Sequence, residues 1–150
     1  LLDAGGWNML LEEYTTKDQA FLKSSVSPKY LLVGTDYSEF LSFQGDPYRA
    51  VEGFQKRILQ AQEVGATLIL MTPPLPGIKL TDEEKLPFFQ YYTEIINLSH
   101  QISAPVLDAW NMSESGTPFW ENTRKMSHGM ELMFAQNLSG ILSYLMEGGH

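Results

Sequence analysis

Three polar side chains follow an apolar run in "KYLLVGTDYSEF", residues 29–40: Thr35, Asp36 and Ser38. Hydroxyls and a carboxylate delivered by a buried strand are the parts from which a catalytic or ligand-binding loop is made, because parallel sheets place their chemistry just beyond the strand ends. Asp108, in "APVLDAW", is a second carboxylate at a strand end and a candidate ligand contact, or a cap for the turn before Asn111. His128, in "ENTRKMSHG", is the one histidine near these ends; it is either a site residue or a solvated residue in the first turn of a helix. Ser38 and Ser127 are the nearest alternative nucleophiles, yet neither sits on the strained strand-to-helix elbow that exposes a nucleophilic serine. The three histidines are dispersed without metal-ligand spacing, and with no cysteine there is neither a thiolate metal site nor a disulfide. No metal or other cofactor is expected.

The elements that must position these groups follow from the apolar pattern. Trp7, Leu10, Leu11 and Tyr14, then Phe21 and Leu22, are spaced to fit one face of a helix predicted to open near Gly6. Tyr30-Leu31-Leu32-Val33 is a continuous apolar run, as expected of a strand covered on both faces. Asp46-Pro47 supplies an N-cap and a first-turn proline for a helix that Gly65 closes. "ATLILMTPPLPG" predicts a second strand ended by prolines. Thr81 and Glu84 form a capping box for a helix to about Ile102. "APVLDAW" predicts a third strand, and residues from about Gly129 to Met146 predict a last helix buried on Leu132, Leu138, Ile141 and Leu145. On the long helix, Phe88, Phe89, Tyr91 and Tyr92 pass right round, which implies deep burial or an exposed patch used for homo-oligomerisation. Alternating strand and helix predict one α/β domain over residues 1–150 with a mostly parallel sheet and helices on both faces.

Bulk composition narrows the partners. The chain has 150 residues, 43% hydrophobic and 19% charged, so it can bury a substantial core. A net charge of −8 with ten scattered Lys and Arg argues against a nucleic-acid partner. No apolar run reaches the roughly 18 residues of a membrane span. The chain opens "LLDAGGWN" without a methionine, as expected of a processed or longer protein. Asn97, Asn111 and Asn137 begin Asn-x-Ser triplets, two of them within predicted helices.

Taken in order, these pieces resemble the SGNH (GDSL-type) hydrolases, α/β esterases, lipases and carbohydrate deacetylases. "DAGGWNMLLEEY" is similar to the block in which a glycine, here Gly6, donates its backbone N–H to an oxyanion. "YLLVGTDYSEF" is similar to the strand ending in Gly-x-Asn-Asp, with Gly34 in register. "EVGATLILMTPPLPG" resembles the following helix-to-strand passage, and "FWENTRKMSHGMELMFAQNL" stands where Asp-x-x-His should precede the last helix. The resemblance implies a three-layer, flavodoxin-like α/β/α fold.

The departures fall on the chemistry. The Gly-Asp-Ser strand bearing the nucleophile would precede residue 1. Asp36 stands at the asparagine position, Tyr37 at the following aspartate, Asn122 at the later aspartate and Lys125 at the histidine. An ionised Asp36 accepts hydrogen bonds only and would repel an oxyanion. Lys125 starts near a pKa of about 10.4, far from that of a useful general base, and Asn122 cannot stabilise a cationic base as a carboxylate does. The resemblance therefore implies a catalytically degenerate domain that binds a protein partner, or a small-molecule or carbohydrate ligand, through the old active-site face. The alternative is a serine ester hydrolase whose nucleophile lies upstream of residue 1. Gly6, Gly34, Asp36, Asn122 and Lys125 are expected to converge in one cleft, with Asp36 and Lys125 paired and Thr35, Ser38, Asp108 and His128 around them. Without the upstream strand, the sheet edge is expected to be covered by residues 1–4, a partner chain or a further segment.

Overall fold

The computed structural model describes residues 30–63, 65–114, 119–122 and 125–148. Strand β1 (Tyr30–Val33), strand β2 (Thr67–Met71) and strand β3 (Val106–Leu107) form a parallel sheet in the order β1-β2-β3. Leu31 stands opposite Leu68, Val33 opposite Leu70, and Leu70 opposite Val106. The chain is thus a mixed α/β protein with a small parallel sheet.

Successive strand residues point to opposite faces, and the two sets enter different cores. Leu31, Val33, Leu68 and Leu70 pack with Phe40, Phe54, Ile58, Phe88, Tyr91 and Ile95. Leu32, Ile69, Met71 and Leu107 pack with Phe119, Met126, Met130, Phe134 and Leu138. The first set is covered by helix α2 (Pro47–Glu63) and helix α3 (Asp82–Ile102), the second by helix α5 (His128–Met146). Burial of each such side chain contributes about 1.5–3 kcal/mol, which is why the apolar runs fix the strands.

Helix boundaries follow local chemistry. Asp46 Oδ1 accepts from the Tyr48 and Arg49 amides at 3.0 and 3.4 Å, opening α2 beside Pro47. Gly65, at φ +80°, turns the chain after α2 into a conformation that costs other residues dearly. The Thr81–Glu84 capping box is present, with reciprocal bonds of 3.2 and 3.0 Å. At Gly53 a side chain would strike the Phe43 ring, so this glycine lets the segment after β1 lie flat on α2.

Four local expectations are corrected. Residues after β1, read as a loop, form helix α1 (Tyr37–Ser42), because Asp36 caps it and Phe40 anchors it in the core. "APVLDAW" supplies only the two residues of β3 before helix α4 (Ala109–Ser113) begins. Part of the "ENTRKMSHG" loop is an antiparallel pair, β4 (Trp120–Asn122) and β5 (Lys125–Met126), and α5 starts at His128. Leu132 is 66% exposed: the inward stripe of α5 is Met130, Phe134 and Leu138, and Leu132, two residues from Met130, falls on the far side. The helix predicted around residues 7–22, and any strand at residues 1–4, lie outside the described residues.

Candidate functional site

All three strands end at one edge of the sheet, and the residues just beyond those ends form two polar clusters. In the first, Thr35 is buried and its hydroxyl shares a 2.8 Å hydrogen bond with the Tyr91 hydroxyl. Next to it, Arg57 Nη2 lies 2.7 and 2.8 Å from the two oxygens of Glu39, joining α1 to α2. Burial raises the Glu39 carboxyl above its ordinary range, and the Arg57 charge and a Thr35 hydrogen bond only partly offset this. The Arg57 guanidinium also lies 5.2 Å from the centre of the Phe54 ring.

In the second cluster Asp108 is the hub. Its Oδ1 accepts from the Thr72 hydroxyl at 3.0 Å and the Asn111 amide at 3.1 Å, and its Oδ2 accepts from the Tyr92 hydroxyl at 2.8 Å. Thr72 in turn accepts from the Trp110 amide at 3.2 Å. One carboxylate therefore caps α4, ties down the end of β2 and holds α3.

Aromatic rings connect the two clusters. Tyr37 meets Phe88 edge-on at 4.8 Å, Phe88 lies 5.1 Å from Trp110, and Trp110 lies 5.0 Å from Tyr92 and 5.8 Å from Phe89. The aromatics passing round α3 resolve into Phe88 and Tyr91 fully buried, Tyr92 half-buried, and Phe89 47% exposed. Phe89 and Trp110 line a cleft of about 260 Å³ with Asp82, Lys85 and Leu86. The Trp110 indole N–H donates to Glu114 at 2.8 Å.

The expected site residues divide. Gly34 is buried at the end of β1, Thr35 beside it is consumed by Tyr91, and Ser38 is exposed on the first turn of α1. The Asp36 carboxylate accepts from the Glu39 amide at 2.7 Å, a helix cap. Asn122 and Lys125 are backbone partners across the β4–β5 pair. Phe119 and Met126, at the ends of that pair, are buried with Ala109 and Met112 beyond β3. The side chains of Asn122 and Lys125, and Gly6, lie outside the described residues, so the expected Asp36–Lys125 pair does too. His128 is fully exposed, 3.8 Å from Glu131, as a solvated first-turn residue.

Sequence reasoning missed Glu39, Arg57 and the bonding of Tyr91 and Tyr92. Two signals pointed to the first pair. Glu39 stands three residues after the capping Asp36, and Arg57 interrupts the inward stripe of Phe54, Ile58 and Ala61. A charge at an inward helical position calls for a buried partner.

The tyrosines give a measurable consequence. Burial, then the Asp108 hydrogen bond and charge, push Tyr92 up to about 12, and burial with the nearby Glu39 charge pushes Tyr91 higher still. Both folded values exceed that of free tyrosine, so their contribution to stability is complete below pH about 10 and is lost as pH rises through the folded values. An absorbance titration at alkaline pH is expected to show a late, cooperative phase coincident with unfolding. Tyr91→Phe and Tyr92→Phe should each diminish it; early, independent ionisation of all tyrosines would contradict this arrangement.

Among the described residues no group of three or more His, Asp or Glu is placed to hold a metal ion, and no helix is long and apolar enough to cross a membrane. Compared with known proteins, the chain matches no family model, no curated protein and no solved structure.

Proposed function

We propose that this chain is an SGNH-hydrolase-like domain of three-layer, flavodoxin-like α/β/α design whose catalytic blocks have decayed, and that the face beyond the strand ends binds a ligand or a protein partner. The observation that carries this reading is the use made of the strand-end aspartates. Asp36 and Asp108 both serve as helix N-caps, and Asp108 also accepts from the Thr72 and Tyr92 hydroxyls. Three of the four lone-pair sites of the Asp108 carboxylate are thus taken by groups that hold α3, α4 and the end of β2, so its bonding serves the frame. What this face offers instead is the apolar cleft of Leu86, Phe89 and Trp110, flanked by Asp82 and Lys85. Ring faces with a carboxylate and an ammonium beside them suit a sugar or the side chain of a partner.

Incubation of the folded chain with a fluorophosphonate, read by intact mass, tests the loss of catalysis. No adduct is expected, and no turnover of short-chain acyl esters above a buffer blank. A stoichiometric adduct would sink the proposal, and its position would name the nucleophile.

A further inference from the structure

At the opposite edge of the sheet, around the first residues of β2 and the segment leading into β3, a cavity of about 500 Å³ opens. This is the size of a small-molecule site. Leu68, Ile102, Pro105 and Leu145 give it an apolar floor, while Thr67, Ser99, Ser103 and Tyr144 bring hydroxyls to its wall.

The parallel topology determines the electrostatics of this cavity. The crossover helices α2 and α3 run back against their strands, and the carboxyl ends of α2, α3 and the last helix α5 all reach this edge; Gln62, Ile102 and Tyr144 in their last turns line the cavity. A helix carboxyl end carries about half a negative charge, usually answered by Lys, Arg or His in the last turn. Here α2 and α5 have no basic residue in the last turn, and α3 has His100, which also lines the cavity and is, among the described residues, the one basic side chain set against the three helix ends. Moreover α2 ends on Glu63 and α5 is capped by Glu147, adding full negative charges where the helix ends already repel them.

Two side chains say what would answer that charge. Ser99 is 2% exposed and donates its proton to the Ile96 carbonyl at 2.6 Å, which leaves its oxygen to accept from a ligand. Tyr144 keeps about half its surface exposed, and an aromatic face beside helix carboxyl ends attracts a cation.

We propose that this cavity binds an organic cation, a small molecule with a protonated amine or quaternary ammonium at the helix ends and an apolar body on Leu68 and Leu145. This site is separate from the strand-end face and does not depend on the reading of that face.

The test uses four probes that share one ring: benzylamine, benzyltrimethylammonium, benzyl alcohol and benzoate, each titrated into the full 150-residue chain and followed by amide NMR shifts. The two cations should give saturable shifts at Thr67, Ser99, Ser103 and Tyr144, and should bind about ten-fold more tightly than the alcohol or the anion, as three helix ends acting together imply. Glu147→Lys, at an exposed helix end, should weaken benzylamine about two- to five-fold, and Ala104→Trp should block the cavity. If Ala104→Trp does not fold, Glu147→Lys alone decides. Equal binding of benzoate or benzyl alcohol, shifts confined to other surfaces, unchanged amine affinity in Glu147→Lys, or no saturable binding of either cation at millimolar concentration would each overturn the assignment.

Discussion

Asp108→Ala should lower the unfolding free energy by about 3 kcal/mol. About 1 kcal/mol of this is the lost cap on α4. The rest comes from Thr72 and Tyr92, whose hydroxyls lose their acceptor in a partly buried place, at about 1–3 kcal/mol for an unsatisfied group. Asp108→Asn keeps an acceptor oxygen for the Asn111 amide and should recover part of the loss. Tyr92→Phe removes one of the donors, so combining it with Asp108→Ala should cost less than the sum of the two changes. Urea midpoints for the wild type and the four variants measure this. Strict additivity would show that Asp108 and Tyr92 are not coupled as their 2.8 Å bond requires.

Arg57→Met should cost about 2–3 kcal/mol at neutral pH and little at acid pH. The guanidinium and the Glu39 carboxylate are only 13% and 22% exposed, so removing the cation strands a charge in a poorly hydrated place. The sign follows from Glu39. Its folded pKa is raised above the ordinary carboxylate value by burial, even with Arg57 present. Folding is therefore favoured most while the carboxyl is protonated, and that advantage fades as pH rises from the ordinary value through the raised one. Without Arg57 the folded value climbs further and the fading continues to higher pH. Wild type and Arg57→Met should thus coincide in acid and diverge toward neutrality. Adding Glu39→Leu to Arg57→Met replaces the pair with apolar groups and should restore most of the loss. Urea unfolding at a series of pH values reads all three, and a pH-independent penalty for Arg57→Met would refute the charge argument.

The same two clusters bear on function. A binding face must keep its shape while its surface residues vary, and Asp108 with the Glu39–Arg57 pair holds α1, α3 and α4 against the strand ends. Leu86 and Lys85 are exposed and Phe89 keeps about half its surface open beside Trp110, so they can meet a ligand while Asp108 and the Glu39–Arg57 pair hold the frame. Substitution at Phe89 is the place to separate binding from stability.

The amino-acid sequence by itself determined the strands β1 and β2, the capped helices α2 and α3 and the presence of the last helix, α5. Each rests on signals confined to neighbouring residues: an apolar run, an Asp-Pro start, a capping box, a helical stripe. It also placed Thr35, Asp36 and Asp108 at strand ends, since a strand's direction carries its last residues to one edge. Only the tertiary structure decided what those residues do. Asp36 is a helix cap because Phe40, four residues on, finds a buried place between Phe88 and Tyr91 that draws the chain into α1. Asp108 is a structural hub because Thr72 and Tyr92, 36 and 16 residues away in the chain, arrive at its two oxygens. Glu39 meets Arg57 across 18 residues, and the outward Leu132 differs from the inward Phe134 only by where the second core happens to lie. Arg57 left a trace as a charge on an inward stripe, but which distant residue answers it, like the partners of Asp108, is written nowhere near it in the chain, and so the frame was legible while the roles within it were not.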